Sequence, residues 1–165
     1  MRASYVVPVG AIGTLSAAIG LMMKDAGASQ RKNRCGDHAT ILLVEDEDAI
    51  RALAKMFLER NGYSVIEAEN GPDAVAIWEK RQSQIDLLVT DLVMPGGFTG
   101  QKLARRLQLD RPDLKVIYSS GSDYEGLTES DGAPGPLDSN FLQKPYRLSS
   151  LARMIHASLE TEKAA

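Results

Sequence analysis

The chain has 165 residues, 44% hydrophobic and 25% charged, with a formal net charge of −3, enough for one ordinary domain with a proper core. Residues 39–165 carry twenty Asp/Glu against fourteen Lys/Arg, which argues against sequence-independent nucleic-acid binding, since that depends on basic side chains neutralising phosphates. Cys35 is the single cysteine, so an intramolecular disulfide and a Cys-based zinc site are both excluded, in agreement with a reducing cytoplasm. His38 and His156 are far apart, lack metal-ligand spacing and read as surface residues.

Residues 1–38 differ from the rest, with five Lys/Arg against two Asp. Tyr5 to Met23, "YVVPVGAIGTLSAAIGLMM", is nineteen uncharged residues, long enough to cross a bilayer, but it is interrupted by Pro8, Gly10, Gly13 and Gly20. Three readings compete. One is a poorly ordered N-terminal extension. Another is a membrane anchor, with Lys24, Arg31, Lys32 and Arg34 holding the following domain in the cytoplasm. The third is a cleaved secretory signal, for which no small-x-small cleavage site follows directly. Residues 25–38 are polar, contain Gly and read as a linker.

From Ala39, short apolar runs alternate with helical patterns. "TILLV" (40–44) is a strand candidate. Ile50, Leu53, Ala54, Phe57 and Leu58 fall at i, i+3, i+4, i+7 and i+8, one face of a helix. "NG" (61–62) ends that helix, and "YSVIEA" (63–68) is a β-rich run. The next helix spans 70–81, with Pro72 in its first turn and Ala74, Ile77 and Trp78 inward. "IDLLVT" (85–90) is a strand, "MPGG" (94–97) a break, and 100–110 a helix with Leu103 and Leu107 inward. "LKVIYSS" (114–120) and "NFLQ" (140–143) are strands. Leu148, Leu151, Ile155 and Leu159 mark the last amphipathic helix. Residues 122–139 are rich in Gly and Pro, so the fourth crossover holds at most a weak helix, about Asp123 to Ser130. Alternating strands and helices predict an α/β domain with a doubly wound parallel sheet. Its working site lies outside the carboxyl ends of the strands.

Those ends carry Glu45 and Asp46, then Asp91, then Ser119 and Ser120, then Lys144. A parallel sheet brings them to one edge. Three carboxylates in one cleft are unfavourable without a cation. Mg²⁺ takes oxygen ligands and binds through one or two carboxylates plus a phosphate. A carboxylate beside it can attack a phosphoryl group and form an acyl phosphate, with the metal and a lysine neutralising the transferring oxygens. Taken singly, the same residues have plainer readings: a helix N-terminus favours acids, and a lysine is ordinarily solvated.

The acid pair in "LLVEDED", the aspartate in "VTDLVMPGG", the hydroxyl in "VIYSSG" and "FLQKPY" together resemble a response-regulator receiver domain, the phosphoacceptor of two-component signalling. The resemblance covers residues 39–160, leaving 1–38 as extension or anchor and 161–165 as a tail. It implies a five-stranded flavodoxin-like sheet in the order 2-1-3-4-5. It implies Asp91 as the phosphorylated residue, and Mg²⁺ held by Asp46, Asp91 and the main-chain carbonyl of Val93, with Glu45 acting through a water. It implies Ser119 as the switch hydroxyl, Lys144 as the phosphoryl partner with a cis bond to Pro145, and Phe141 as the aromatic switch, apolar because Phe has no hydroxyl. The implied donor is a phosphohistidine on a histidine kinase or phosphotransfer protein. The implied output is a change of protein-interaction surface, with no conventional enzyme activity beyond self-catalysed phosphotransfer and slow autodephosphorylation.

Two departures stand out. Gly100 follows Asp91 by nine residues where the familiar "MPxxDG" loop has eight, and the "MPGGxxG" form resembles receivers associated with hybrid histidine kinases. The weak fourth helix puts dimerisation through its face in doubt. With no output domain after the last helix, the expectation is a stand-alone receiver, or else a fragment of a hybrid kinase. A non-phosphorylated adaptor of the same fold is an alternative. A phosphatase of the haloacid dehalogenase type needs a second Asp two residues after the nucleophile, where this chain has Val93. Within the acidic run, Asp48 is expected to cap the following helix and Glu47 to lie in solvent.

Overall fold

The five apolar runs are each too short for a stable helix, and each lies beside another to form one sheet. The structure is a computed structural model and describes residues 39–94, 97–121 and 140–160. Strands β1 (Thr40–Val44), β2 (Ser64–Ala68), β3 (Leu87–Asp91), β4 (Lys115–Ser120) and β5 (Phe141–Gln143) are all parallel, in the expected order β2-β1-β3-β4-β5. The helices among the described residues are α1 (Asp48–Arg60), α2 (Gly71–Arg81), α3 (Gly100–Asp110) and α4 (Leu148–Glu160). The fourth crossover, the N-terminal segment with its three readings and the C-terminal tail lie outside the described residues. Among the described residues no helix is long and apolar enough to cross a membrane.

Successive side chains of a strand point to opposite faces, and this alternation sorts the core into two layers. Ile41, Leu43, Leu87, Val89 and Ile117 pack against Ile50, Ala54, Phe57 and Leu58 of α1 and Leu148, Leu151 and Ile155 of α4. Leu42, Val44, Leu88, Val116 and Tyr118 pack against Ala74 and Trp78 of α2 and Leu103, Ala104 and Leu107 of α3. Both faces are covered, as a parallel sheet requires.

The helix starts differ in how they are held. The Asn70 side chain accepts the Asp73 N–H at 2.8 Å to cap α2, and Thr99 accepts the Lys102 N–H at 3.3 Å to cap α3. For α1 the expected cap is displaced: Glu47 occupies the N-cap position, without a side-chain bond to the helix. Asp48 lies in the first turn, where its carboxylate receives Arg51 at 2.5 Å. The guanidinium, on a residue only 8% exposed, draws Asp48 along the helix and away from the free N–H groups.

Candidate functional site

Parallel partners share a face, and this places the site. Asp91 pairs with Ser119, so both side chains project on the face that carries Val89 and Ile117. Glu45 continues the Ile41, Leu43 alternation, and its N–H bonds to the Ala68 carbonyl at 3.2 Å. Lys144 follows β5, its N–H on the Ser120 carbonyl at 2.8 Å, and its bond to Pro145 is cis. The fold therefore gathers Glu45, Asp91, Ser119 and Lys144 from four strand ends.

The Lys144 ammonium donates to Glu45 Oε1 and Oε2 at 3.0 and 2.8 Å and to Asp91 Oδ2 at 2.6 Å. The other Asp91 oxygen, Oδ1, accepts the Val93 N–H at 3.1 Å. Glu45, Asp91 and Ser119 are buried, whereas Asp46 is exposed. Glu45, Asp46 and Asp91 each offer a carboxylate oxygen, all within 4.8 Å of one another. One ammonium faces three carboxylates, so the donor set is oxygen-only with an excess of negative charge. That is the chemistry of a hard divalent cation such as Mg²⁺, and these residues fit it.

Burial pushes the Glu45 carboxyl up to about 7, against the pull of the Lys144 ammonium, with Asp91 and Asp46 adding to the rise. Burial acts to lower the pKa of Lys144, but the charges of Glu45 and Asp91 outweigh it and hold the ammonium well above the usual lysine range. Lys144 is thus a fixed positive charge, while Glu45 can change protonation near neutrality.

Several of the site's supports are not evident from the motifs. Glu47, expected in solvent, is half-buried; its Oε1 is buried without a hydrogen-bond partner, and burial raises its carboxyl. Arg51 donates to the Glu45 carbonyl oxygen at 2.6 Å and lies 3.7 Å from Glu69, so it braces the end of β1 from the side opposite Lys144. Its i, i+3 spacing from Asp48 was the readable signal. Tyr146 is buried in the core layer of Ile117, Leu142 and Leu148, and burial pushes its hydroxyl up to about 12. Phe141 is half-buried, pairs with Tyr118 and packs on the α2/α3 face. Val93 is 57% exposed beside Asp91.

The response regulator receiver domain family matches residues 41–156. The chain is 38% identical over 124 residues to the sensor kinase CckA of Brucella abortus, covering 75% of this chain and 13% of that protein. It is 35% identical over 120 residues to the response regulator receiver protein CpdR of the same organism, covering 72% of this chain and 95% of CpdR. The chain thus spans about an eighth of one relative and nearly all of the other. Among solved structures, a response regulator receiver domain protein from Clostridium thermocellum matches with a TM-score of 0.64 at 26% identity, over 76% of this chain and 98% of that one. The receiver domain of the hybrid histidine kinase CckA matches with a TM-score of 0.59 at 35% identity, over 73% of this chain and 99% of that one.

Proposed function

Since the chain belongs to the response regulator receiver domain family of two-component signalling, we propose that it is a phosphoacceptor in a phosphorelay, with Asp91 taking the phosphoryl group. The observation that carries this reading is the Asp91 carboxylate held at 2.6 Å by Lys144 among two further carboxylates. The donor is a phosphohistidine on a histidine kinase or phosphotransfer protein. An Asp91 carboxylate oxygen attacks phosphorus, the P–N bond breaks as the P–O bond forms, and the histidine nitrogen leaves and takes up a proton.

In this reading Asp46, Asp91 and the Val93 carbonyl hold Mg²⁺, with Glu45 acting through a water. Bound there, the cation supplies charge neutralisation at the transferring oxygens. Lys144, already directed at Asp91, supplies the fixed positive charge on the same oxygens. Phosphorylation raises the charge on Asp91 from one negative unit to about two. Ser119 turns towards the new oxygens, and Phe141 moves inward without needing a polar partner. The altered surface binds a downstream protein, so the chain signals by contact and is self-modifying rather than an enzyme acting on other molecules. Its place is the cytoplasm, where such donors reside.

Incubation with Mg²⁺ and acetyl phosphate, followed by mass analysis, tests this reading. A single added phosphoryl group is expected at Asp91, dependent on Mg²⁺ and lost in Asp91→Ala. Absence of any Mg²⁺-dependent modification at Asp91 overturns it.

A further inference from the structure

We propose that Arg51 is a positioning residue for the metal-binding acids: its guanidinium fixes the Glu45–Asp46 peptide from the side opposite Lys144 and so sets where the Asp46 carboxylate stands against Asp91. The inference rests on the Mg²⁺ assignment within the phosphoacceptor reading and adds a residue to it.

β1 ends at Val44, and the two acids that follow are held by groups from outside that strand. The Glu45 N–H donates to the Ala68 carbonyl of β2 at 3.2 Å. The Glu45 carbonyl oxygen accepts Nη1 of Arg51, from α1, at 2.6 Å. A peptide unit is planar, so fixing the Glu45 carbonyl also fixes the N–H of Asp46 and the direction in which its Cα leaves. Asp46 is exposed, so its carboxylate is aimed by the main chain and not by packing around the side chain. That carboxylate offers an oxygen within 4.8 Å of those of Glu45 and Asp91. The Arg51 bond is therefore placed where it controls the geometry of the acid set.

The charge on Arg51 is balanced away from the cleft. Its Nη2 lies 2.5 Å from Asp48 and 3.7 Å from Glu69, and its Nε lies 4.0 Å from Glu67. Glu67 also meets Lys55 at 2.5 Å. Towards the cleft the guanidinium reaches a main-chain oxygen, whereas Lys144 bonds the carboxylates of Glu45 and Asp91 themselves. Lys144 thus neutralises the acids, while Arg51 orients them and leaves their charge for the cation. The residue type suits this task. Guanidinium donors are fixed in a planar fork, so one group spans the Glu45 carbonyl and Asp48 at once. At 8% exposure, the surrounding packing restricts the side chain to this position. Groups that orient metal ligands from outside the coordination sphere contribute roughly 10–100-fold to metal affinity.

The test is the Mg²⁺ affinity of the 165-residue chain, followed by NMR titration, with thermal melts in chelator read alongside. Arg51→Met keeps an unbranched stem and removes the donors and the charge. Loss of a positive charge beside a cation site would by itself tighten Mg²⁺ binding, whereas loss of positioning weakens it. The expected result is a rise in Kd of about tenfold, measured at a temperature where the melt shows the variant folded. Arg51→Lys keeps the charge but gives up the fork, so its Kd is expected to lie between those of the parent and Arg51→Met. The proposal is overturned if folded Arg51→Met binds Mg²⁺ as tightly as the parent or more tightly, whatever its melting temperature; a merely structural tie between α1 and the sheet gives that outcome. Should Arg51→Met not fold, Arg51→Lys decides in the same way. A parent chain that binds no Mg²⁺ is a different result: it removes the metal assignment before any variant is compared, and this inference with it.

Discussion

Glu45 is subject to two opposing influences, and the balance has a sign that can be measured. Burial favours its neutral form and outweighs Lys144, leaving the carboxyl at about 7, whereas an unfolded glutamate titrates near ~4.3. Between those values the folded, metal-free chain holds a proton that the unfolded chain has released. Stability from this group therefore falls as pH rises through that window and is level above it, by no more than about 4 kcal/mol. Thermal melts in chelator at pH 5 and pH 8 should show the loss, and Glu45→Gln should flatten it. A divalent cation needs the carboxylate, so Mg²⁺ affinity should rise over the same window in a calorimetric titration; an unchanged affinity would detach Glu45 from the metal. Its neighbours divide differently. Asp46→Asn should abolish Mg²⁺-dependent phosphorylation. Glu47→Gln should leave phosphorylation in place and raise the melting temperature modestly, because it removes a half-buried charge beside other acids.

The β3–α3 connection shows how an element can depend on one missing atom. The Gly100 N–H bonds to the Leu92 carbonyl at 3.1 Å, and a Cβ built on Gly100 would overlap the main-chain carbonyl of Asp91. Helix α3 begins against the backbone of Asp91, so Gly100→Ala must push the two apart. A loss of about 2–4 kcal/mol in denaturant unfolding is expected, together with slower phosphorylation, because Asp91 moves. Within this loop Gly97 has φ 74°, a left-handed conformation that glycine adopts freely. At Gly71 a Cβ would meet the Phe98 ring instead. A ring can give way where a carbonyl cannot, so Gly71→Ala should cost less, and Phe98→Leu should relieve part of it. The spacing of Gly100 from Asp91 was visible in the chain. The contact of Phe98 with Gly71 was not, because it joins the β3–α3 loop to the start of α2, distant in sequence and with no shared pattern.

At the scale of the molecule, the legible features were those written in periodicity. Strand runs such as Ile41–Val44 and the helical spacing of Leu148, Leu151 and Ile155 give the alternation, and the alternation gives the sheet. The strand ends then converge by topology alone. Less legible were groups whose partners come from other elements. Arg51 reads as a surface helix residue until it is found on the Glu45 carbonyl. Asp48 was misread as a cap because local rules do not include a competing guanidinium. Trp78 illustrates a remote effect of the same packing. It is fully buried at the C-terminal end of α2, its indole N–H donates to Asp110 at 3.1 Å, and the Arg111 guanidinium lies 4.9 Å over its ring. Arg111 in turn bonds the carbonyls of Gln82 and Ile85, just ahead of β3, at the end of the sheet away from Asp91. The single tryptophan is therefore a fluorophore sealed off from the acidic cleft. Its emission should report cooperative unfolding sharply, yet stay constant when Mg²⁺ is added to the folded chain. A silent fluorescence titration of this protein would then reflect where its indole sits, and binding of the cation has to be followed by a probe placed in the cleft itself.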